Sequence, residues 1–552
     1  MKNILDCLHA EISTICGVPG NVQFICEYPR DSSNGDFATN LAMTSSKHYG
    51  KPPMVLAEEF AIKIRTLPFI KECTVAKPAF INIKVDDGYL MKMLAELFAS
   101  QMPNLGHGEK VNVEYISANP TGPLHVGHLR GAIYGDILAS LLKKTGYSVA
   151  KEYYINDAGN QINVLAKSVW IRYRQLLGDD IQVPEGCYPA EYIVEIAKEI
   201  RKKYGDDLQE QNEIFKTDAV AFNLKWIKRT LEKLKIKHDV FSSEKEIVNS
   251  TAIESAIGEL KTKELIYRGV PQKPHKAGEE WEPKECLLFK ATNFGDTEDR
   301  VMQKNDGSYT YCVPDMVYNR NKITRGFNNL VMVLGADHIG YVSRLQSMTQ
   351  ALAKGNFHLD IKICQIVKFL NNGEAFKMSK RAGNFVTVDD ILDSVHTDII
   401  RFMMLTKKND MHMEFDVEKV KEQTKENPIF YIQYAYSRIS SVLRKAGVSA
   451  ANFTIDGCNP AFLPLVKKVL EFPSILKVAV IKHEPHHLAF FAYGLASELH
   501  SIWTTGNSNP SARFLKEGDE KHNQMSINLL LCAKKVFDYT FEIFDIKPME
   551  TM

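Results

Sequence analysis

The chain has no Cys-x-x-Cys pair. Its ten cysteines are scattered over 552 residues, which excludes a zinc knuckle on that spacing and argues against a disulfide framework. Reduced thiols in a cytoplasmic protein are the expectation. No apolar run approaches the ~20 residues that span a bilayer, so no membrane partner is expected. The N-terminus "MKNILDCLHAEISTICGVPG" carries acidic residues inside its apolar pattern and reads as an amphipathic helix rather than a signal peptide. Excess charge of one sign is also missing. With a net charge of +1, a nucleic-acid partner would have to be held by local basic patches. There is no internal repeat and no low-complexity tract. What is present is ordinary for a soluble globular protein: 45% hydrophobic and 24% charged residues, on a length that accommodates about three or four domains.

Four regions follow from the patterning. Residues 1–108 mix a helical period ("VLAEEFAIKIRTL") with a strand-like "AFINIKV" and end in the turn-rich "QMPNLGHGEK". From Val111 a strand-like "VNVEYIS" leads through a loop to "LRGAIYGDILASLLKKTG", an amphipathic helix stopped by Gly146, and then to a second strand, "YSVAKEYYIN". Strand, loop, helix and strand form a βαβ unit, and such units build parallel sheets. Residues 170–300 are charged and mostly helical, as an insertion between two halves of that sheet would be. Apolar strands return in "NLVMVLGADH" and "IKICQIVKFL". From about residue 425 only helical patterns occur, which predicts a C-terminal helix bundle.

The stretch "SANPTGPLHVGHLRGA", Ser117–Ala132, places structure breakers directly before a regular segment. The preceding strand delivers the chain to the carboxyl edge of a parallel sheet, where open α/β folds bind ligands. "HVGHL" then opens a helix, whose free N–H groups and dipole attract anions. His125 and His128 are three apart and share a face of the first turn. Each can donate a hydrogen bond to a phosphate, and Gly127 leaves room for a base or ribose against the backbone. His-x-x-His is also a metal-pair spacing, but no further His, Cys or carboxylate stands at a suggestive distance along the chain.

A second motif lies in "NNGEAFKMSKRAGNFVTVDDIL". Lys377-Met378-Ser379-Lys380 follows the strand "IKICQIVKFL" and a turn at Asn372-Gly373. Two lysines on a loop can close over a polyphosphate and neutralise the charge that builds on leaving pyrophosphate. Lysine suits this as a compact, flexible point charge. A solvated basic loop is the plainer alternative for this segment taken alone.

"HVGH" followed much later by "KMSK" resembles the paired signatures of the class I aminoacyl-tRNA synthetases. The longer string "VEYISANPTGPLHVGHLRGAIYGDILASLL" resembles the arginyl-tRNA synthetases. So do "GDFATNLAM", "YYINDAGNQI", "DRVMQKNDGSYTYCVPD", "VMVLGADHIGYVSRL" and "FYIQYAYSRISSVLRKAG", and the likeness covers nearly the whole chain. Many arginyl enzymes lack an intact second signature, with a lysine elsewhere in its place. Here Lys377 and Lys380 are both present. The resemblance implies an N-terminal α+β domain (1–108) that contacts the tRNA elbow, including the D-loop. It implies a Rossmann-like catalytic domain with a helical insertion (109–425) and an all-α anticodon-binding bundle (426–552).

The reaction so implied is ATP-dependent activation of L-arginine, with Mg2+ accompanying ATP as substrate and no tightly bound protein-ligated metal. Transfer to the terminal adenosine of tRNA(Arg) follows. His125, His128, Lys377 and Lys380 map to the ATP phosphates and the catalytic role, with Gly127, Gly335, Asp337, Met378 and Ser379 around the nucleotide. A guanidinium is always charged and offers five donors, so its pocket needs carboxylates in bidentate reach. The family match points to Glu114 and Asp315, with the Tyr311 hydroxyl, and places Ser117, Asn119 and His338 near the amino and carboxylate groups. Tyr431, Tyr434 and Arg438 map to tRNA contacts, with Tyr436 facing elsewhere on the same helix. The family is commonly monomeric, DNA is not a partner, and no heptad seam is present. Three rival readings share part of the pattern. A synthetase for another amino acid turns on Glu114, Tyr311 and Asp315. A smaller nucleotidyltransferase is disfavoured by the helical tail and the insertion, and a catalytically silent RNA-binding relative by the two intact signatures.

Overall fold

Strand and helix alternate from Lys110 onward because short β-branched and aromatic runs are separated by amphipathic helices, the pattern of parallel sheets. The computed structural model describes residues 1–272, 284–353, 355–375, 385–448 and 459–552. Two compact units result: Asn104–Glu422, and a second made of Met1–Pro103 together with Gln423–Met552.

In the first unit a five-stranded sheet runs in the order His358–Cys364, Asn329–Gly335, Lys110–Tyr115, Ser148–Ile155, Val240–Ser243. All four pairings are parallel. The chain fills one side of Lys110–Tyr115 and then crosses to the other. The strand order therefore reverses between Lys110–Tyr115 and Asn329–Gly335, and ligands bind in the crevice at the carboxyl ends of such a pair. The helix Leu129–Lys144 crosses back over the sheet with Leu129, Ile133, Ile137, Leu138 and Leu141 buried. It packs close because Gly135 has no side chain: a Cβ there would lie 2.3 Å from the Tyr115 ring.

Two sequence expectations are corrected. The segment 170–300 is not wholly an insertion, since Val240–Ser243 is the edge strand of the main sheet. The strands Ile266–Gly269, Cys286–Phe289 and Arg300–Gln303 form a separate antiparallel sheet. These strands are only four residues long, too short for a period to stand out between the helices. The helices Glu191–Tyr204 and Ile214–Lys233 do pack on Asn160–Leu176, around Leu165, Val169, Tyr173, Ile193, Ile196 and Phe215. Second, "IKICQIVKFL" is two strands. The chain leaves the main sheet at Gln365, whose N–H donates to Asn409 O at 2.8 Å. Val367–Asn371 then pairs with Met413–Asp416 and Glu374–Ala375 in another sheet.

In the second unit an antiparallel sheet containing Phe37–Thr39, Ile70–Ala76 and Phe80–Val85 carries helices such as Ile4–Cys16 and Pro53–Ile64. From Pro428 on, the regular elements among the described residues are helices: Pro428–Lys445, Leu463–Leu470, Phe472–Ile481, His486–Ser508 and Glu520–Phe544, with short 3-10 turns. Helix Asp87–Ala99 seals the two chain ends together: Leu94 O accepts from Cys532 Sγ at 3.7 Å, and Lys535 Nζ donates to Ser100 O at 2.6 Å. Ser474 Oγ also donates to Asn3 Oδ1 at 2.7 Å.

Candidate active site

The strand Lys110–Tyr115 runs into a loop that starts with strain. Ile116 and Ser117 take φ of 72° and 39°, left-handed values that are uncommon without glycine and most unusual for a β-branched residue. The surroundings hold them there. Ser117 Oγ accepts from Tyr154 N at 3.0 Å and donates to Glu114 Oε1 at 3.0 Å. The following carbonyls are pinned by side chains: Tyr153 Oη on Ala118 O at 2.7 Å, Asn223 Nδ2 on Pro120 O at 3.0 Å, and Tyr192 Oη on Thr121 O at 2.7 Å. Asn119 Nδ2 donates to Gln161 Oε1 at 2.7 Å.

The loop ends at His125, which caps a 3-10 turn, Val126–His128, leading into the helix Leu129–Lys144. His125 Nδ1 accepts from Gly127 N at 3.2 Å, and His128 Nδ1 accepts from His125 N at 3.3 Å. Both Nδ1 atoms are used as acceptors, so a neutral ring in either position carries its proton on Nε2. The ring centroids lie 3.8 Å apart. Desolvation lowers the His125 pKa, and desolvation with repulsion from His125 pushes His128 down to about 4. The pair thus presents neutral N–H donors near pH 7. Gly127 is required for its own reason: a Cβ would stand 2.8 Å from His125 Cε1 and Nδ1.

Lys377, Met378, Ser379 and Lys380 lie outside the described residues. Their flanks are described. Asn372 and Gly373 turn with φ of 51° and 82°, and their N–H groups donate to the Asp416 carboxylate at 3.1 and 2.7 Å. Beyond the motif, Val126 N donates to Val386 O at 3.0 Å and Val388 N to Leu124 O at 2.9 Å. A β-bridge joins His125 to Thr387, and the Phe385 ring stands 5.9 Å from that of His125. The chain emerging from the second signature is therefore hydrogen-bonded to the first. Asp389 anchors this segment by accepting from Trp226 Nε1 (3.0 Å), Thr230 Oγ1 (2.8 Å) and Lys233 Nζ (2.7 Å). The buried Arg130 guanidinium ties the motif helix to Lys408 O at 2.7 Å and Met411 O at 2.5 Å.

Across the crevice, Gly335 ends its strand and Ala336–Tyr341 forms a 3-10 turn. Asp337 acts electrostatically on both His125 and His128, raising their pKa values against the burial. His338 Nε2 lies 3.4 Å from Asp337 Oδ2, and both side chains are exposed. The same turn carries Tyr341, whose hydroxyl donates to Asp315 Oδ2. One short turn thus carries a charge that acts on the imidazoles and a hydroxyl bonded to the carboxylate pocket.

That pocket holds Glu114, Asp315 and Glu244. Burial raises Asp315 to about 6, with Tyr341 pulling it down and Glu114 and Glu244 pushing it up. Burial, reinforced by Asp157, also raises Glu244. Glu114 is buried and ion-paired with Lys322, itself fully buried. Tyr311 stands just before the Cys312–Thr324 helix with 89% of its surface exposed, and the hydroxyl on Asp315 is Tyr341's. Glu244, Tyr341 and Lys322 were not singled out by the sequence. Tyr341 sits inside "VMVLGADHIGYVSRL", and Glu244 follows a four-residue strand too short to show a period.

In the C-terminal helices, Tyr436 is buried and donates to Asp538 Oδ1 at 2.6 Å. Tyr431 and Tyr434 lie on the other side, with ring centroids 4.4 and 5.4 Å from that of His500. The Arg438 guanidinium sits 4.2 Å from the Tyr434 ring and 4.7 Å from that of Trp503. Among the described residues, Glu484, His486 and His487 bring three metal-competent atoms within 4.8 Å of one another, in the unit that does not contain the crevice. No described helix is long and apolar enough to cross a membrane.

Comparison with known proteins gives consistent matches. The family model for the catalytic domain of class I tRNA synthetases (R) matches residues 92–442, the DALR anticodon binding domain 432–552, and the arginyl tRNA synthetase N-terminal domain 2–85. The arginine–tRNA ligase of Ruegeria pomeroyi is 43% identical over 548 residues, covering 95% of this chain and 94% of that one. A solved Campylobacter jejuni chain described as an arginyl-tRNA synthetase is 30% identical at a TM-score of 0.71, covering 85% of this chain and 100% of that one. The Thermus thermophilus arginyl-tRNA synthetase, at 19% identity, shares the fold with a TM-score of 0.75 over 100% of this chain and 99% of its own. The reversal of strand order beside two histidines, the carboxylate pocket across the crevice and these matches lead to one assignment: the chain belongs to the arginyl-tRNA synthetases, a class I family.

Proposed function

We propose that the protein is an arginine–tRNA ligase that uses the crevice at the strand reversal for both half-reactions. A carboxylate oxygen of L-arginine attacks the α-phosphorus of Mg-ATP, the bond to the β-phosphate bridging oxygen breaks, and pyrophosphate leaves. The terminal ribose hydroxyl of tRNA(Arg) then attacks the arginyl carbonyl carbon and AMP leaves. No protein nucleophile is needed, so rate enhancement comes from positioning and charge stabilisation. His125 and His128 donate from Nε2 to phosphate oxygens, and Lys377 and Lys380 neutralise the departing charge. Gly127, Gly335, Asp337, Met378 and Ser379 surround the nucleotide. Asp315 and Glu244 accept the guanidinium, in place of the expected pair Glu114 and Asp315, because Glu114 is held by Lys322 and Ser117. Ser117, Asn119 and His338 serve the amino and carboxylate end, and the Tyr311 hydroxyl adds an acceptor for the guanidinium.

The observation that carries this proposal is the Ala336–Tyr341 turn, which carries both a carboxylate, Asp337, whose charge acts on the imidazole pair and a hydroxyl, Tyr341, bonded to Asp315 in the carboxylate pocket. A nucleotide and a cationic amino acid held on its two sides would meet between them. Residues 1–108 and 426–552 bind tRNA through its elbow and anticodon arm, with Tyr431, Tyr434 and Arg438 on the latter, and the enzyme works as a cytoplasmic monomer. ATP–pyrophosphate exchange with each of the twenty amino acids, with and without tRNA, tests the assignment. Exchange with arginine alone is expected; exchange with any other amino acid, or with none under both conditions, overturns it.

A further inference from the structure

Lys322 has no role in the mechanism above, yet it is fully buried inside the carboxylate pocket. It lies seven residues after Asp315 on the helix Cys312–Thr324, so the two share a face two turns apart. Its Nζ pairs with Glu114 Oε2, reaches Asn319 Oδ1 at 3.4 Å and lies 4.2 Å from the Tyr318 ring centroid. The other Glu114 oxygen accepts from Ser117 at 3.0 Å. Both oxygens of Glu114 are thus engaged inside the protein, which leaves Asp315 and Glu244 to face a ligand.

We propose that Lys322 is a positioning residue for arginine recognition, a built-in counter-cation that occupies Glu114 and sets the charge of the pocket to match a substrate with two cationic groups. The proposal rests on the assignment of this pocket to arginine. With all three carboxylates ionised, Glu114, Asp315 and Glu244 against Lys322 leave two negative charges; Glu152, on which Lys322 also acts, is paired with Arg325, and Asp157 behind Glu244 accepts from Ser243 and Lys245. L-arginine brings a guanidinium and an ammonium, while its carboxylate is directed at the α-phosphate. Without Lys322 a third negative charge would stand unmatched in a desolvated site, and protonation costs less than carrying it. A protonated Asp315 donates where a guanidinium, which has donors only, needs an acceptor.

The groups acting on Asp315 come from every wall of the pocket. Glu114 projects from the central strand, Tyr154 from its neighbour and Glu244 from the start of the short helix Glu244–Ile247. Lys322 and Cys312 share its helix. Tyr341 faces it from the 3-10 turn, with Arg344 5.2 Å from the Tyr341 ring. Lys322 is a cation that acts on Asp315, against burial and the two neighbouring carboxylates, to keep that carboxyl ionised.

The test is the pH dependence of KM for arginine, from initial rates of tRNA aminoacylation between pH 5.5 and 8.5, with KM for ATP measured alongside. Lys322→Met is expected to move the midpoint up by about one pH unit, a rise in KM of about fivefold at pH 6, while KM for ATP stays put. Glu114→Gln/Lys322→Met removes one charge of each sign, restores the balance, and returns the midpoint to the wild-type value. Glu114→Gln alone moves it down. A merely structural role for Lys322 would leave the double variant as displaced as the single one, and that result, or an unmoved midpoint in Lys322→Met, overturns the proposal. If Lys322→Met does not fold, the opposite shift in Glu114→Gln and the return in the double variant decide; no downward shift in Glu114→Gln overturns it. Failure of the arginine assignment is distinguishable, because Asp315→Asn would then turn over arginine normally.

Discussion

Asp315→Asn is the most informative single change. The substitution keeps the shape of the side chain and replaces an accepting oxygen with an amide that donates toward a ligand made of donors. Losing one charge-assisted partner of a desolvated guanidinium costs on the order of 2–5 kcal/mol, roughly a 30- to 5000-fold drop in kcat/KM for arginine. The wild-type protein supplies an internal control. Burial holds Asp315 at about 6, so the carboxyl is about nine-tenths ionised at pH 7 and one-tenth at pH 5, and KM for arginine should rise about tenfold over that interval. Arginine keeps its charge throughout, so the titration belongs to the protein. In Asp315→Asn the profile should be flat.

Stability moves the other way. A carboxyl whose folded pKa lies above its unfolded value binds more protons when folded, so its contribution falls as pH rises from about 4 to about 6. At neutral pH the ionised Asp315 costs the ligand-free fold roughly 3 kcal/mol at most. Asp315→Asn should therefore unfold at an equal or higher temperature than wild type while losing arginine. If the variant keeps kcat/KM for arginine within threefold of wild type at pH 7.5, the guanidinium binds elsewhere.

Two further changes probe the nucleotide side. Gly127→Ala puts a Cβ 2.8 Å from the His125 ring; the ring must turn away, and kcat should fall by about tenfold or more, ~1.4 kcal/mol, with KM for arginine unchanged. Steady-state kinetics showing wild-type kcat would refute the role given to that ring. Asp389→Ala strands the donors of Trp226, Thr230 and Lys233. It should cost about 2 kcal/mol in urea unfolding and raise KM for ATP, because Asp389 anchors the segment bonded to Leu124 and Val126. Burial raises the Asp389 pKa, but the hydrogen bonds from Lys233, Thr230 and Trp226 outweigh it and hold the carboxyl below its usual range. The stabilisation is thus present above pH ~4 and is lost on acidification below that. Unchanged stability together with unchanged KM for ATP would show that the anchor is idle.

Much of the nucleotide side is legible in the residues. The breakers of "SANPTGPL" and the helix after them are local features, and local features survive translation into sequence patterns. The carboxylate pocket is less legible. Asp315 stands in a motif, but Glu244 follows a four-residue strand with two serines at its end, and short polar strands leave no period. For the aromatic hydroxyl the family resemblance points to Tyr311, four residues from Asp315. The structure brings Tyr341 to Asp315 across 26 residues.

The sequence by itself determined the parallel-sheet βαβ unit, the histidine pair at a helix tip, the helical C-terminal region and the family, because each depends on the order and spacing of neighbours along the chain. Tertiary structure alone decided that residues 1–103 and 423–552 close into one unit. It also decided that Lys322 neutralises Glu114 from 208 positions away and that the exit from the second signature is laddered onto the first. The physical reason is the same in each case. Periodicity records which face of an element is apolar, whereas a buried charge pair or a backbone bridge is selected by what the folded chain brings within hydrogen-bond reach.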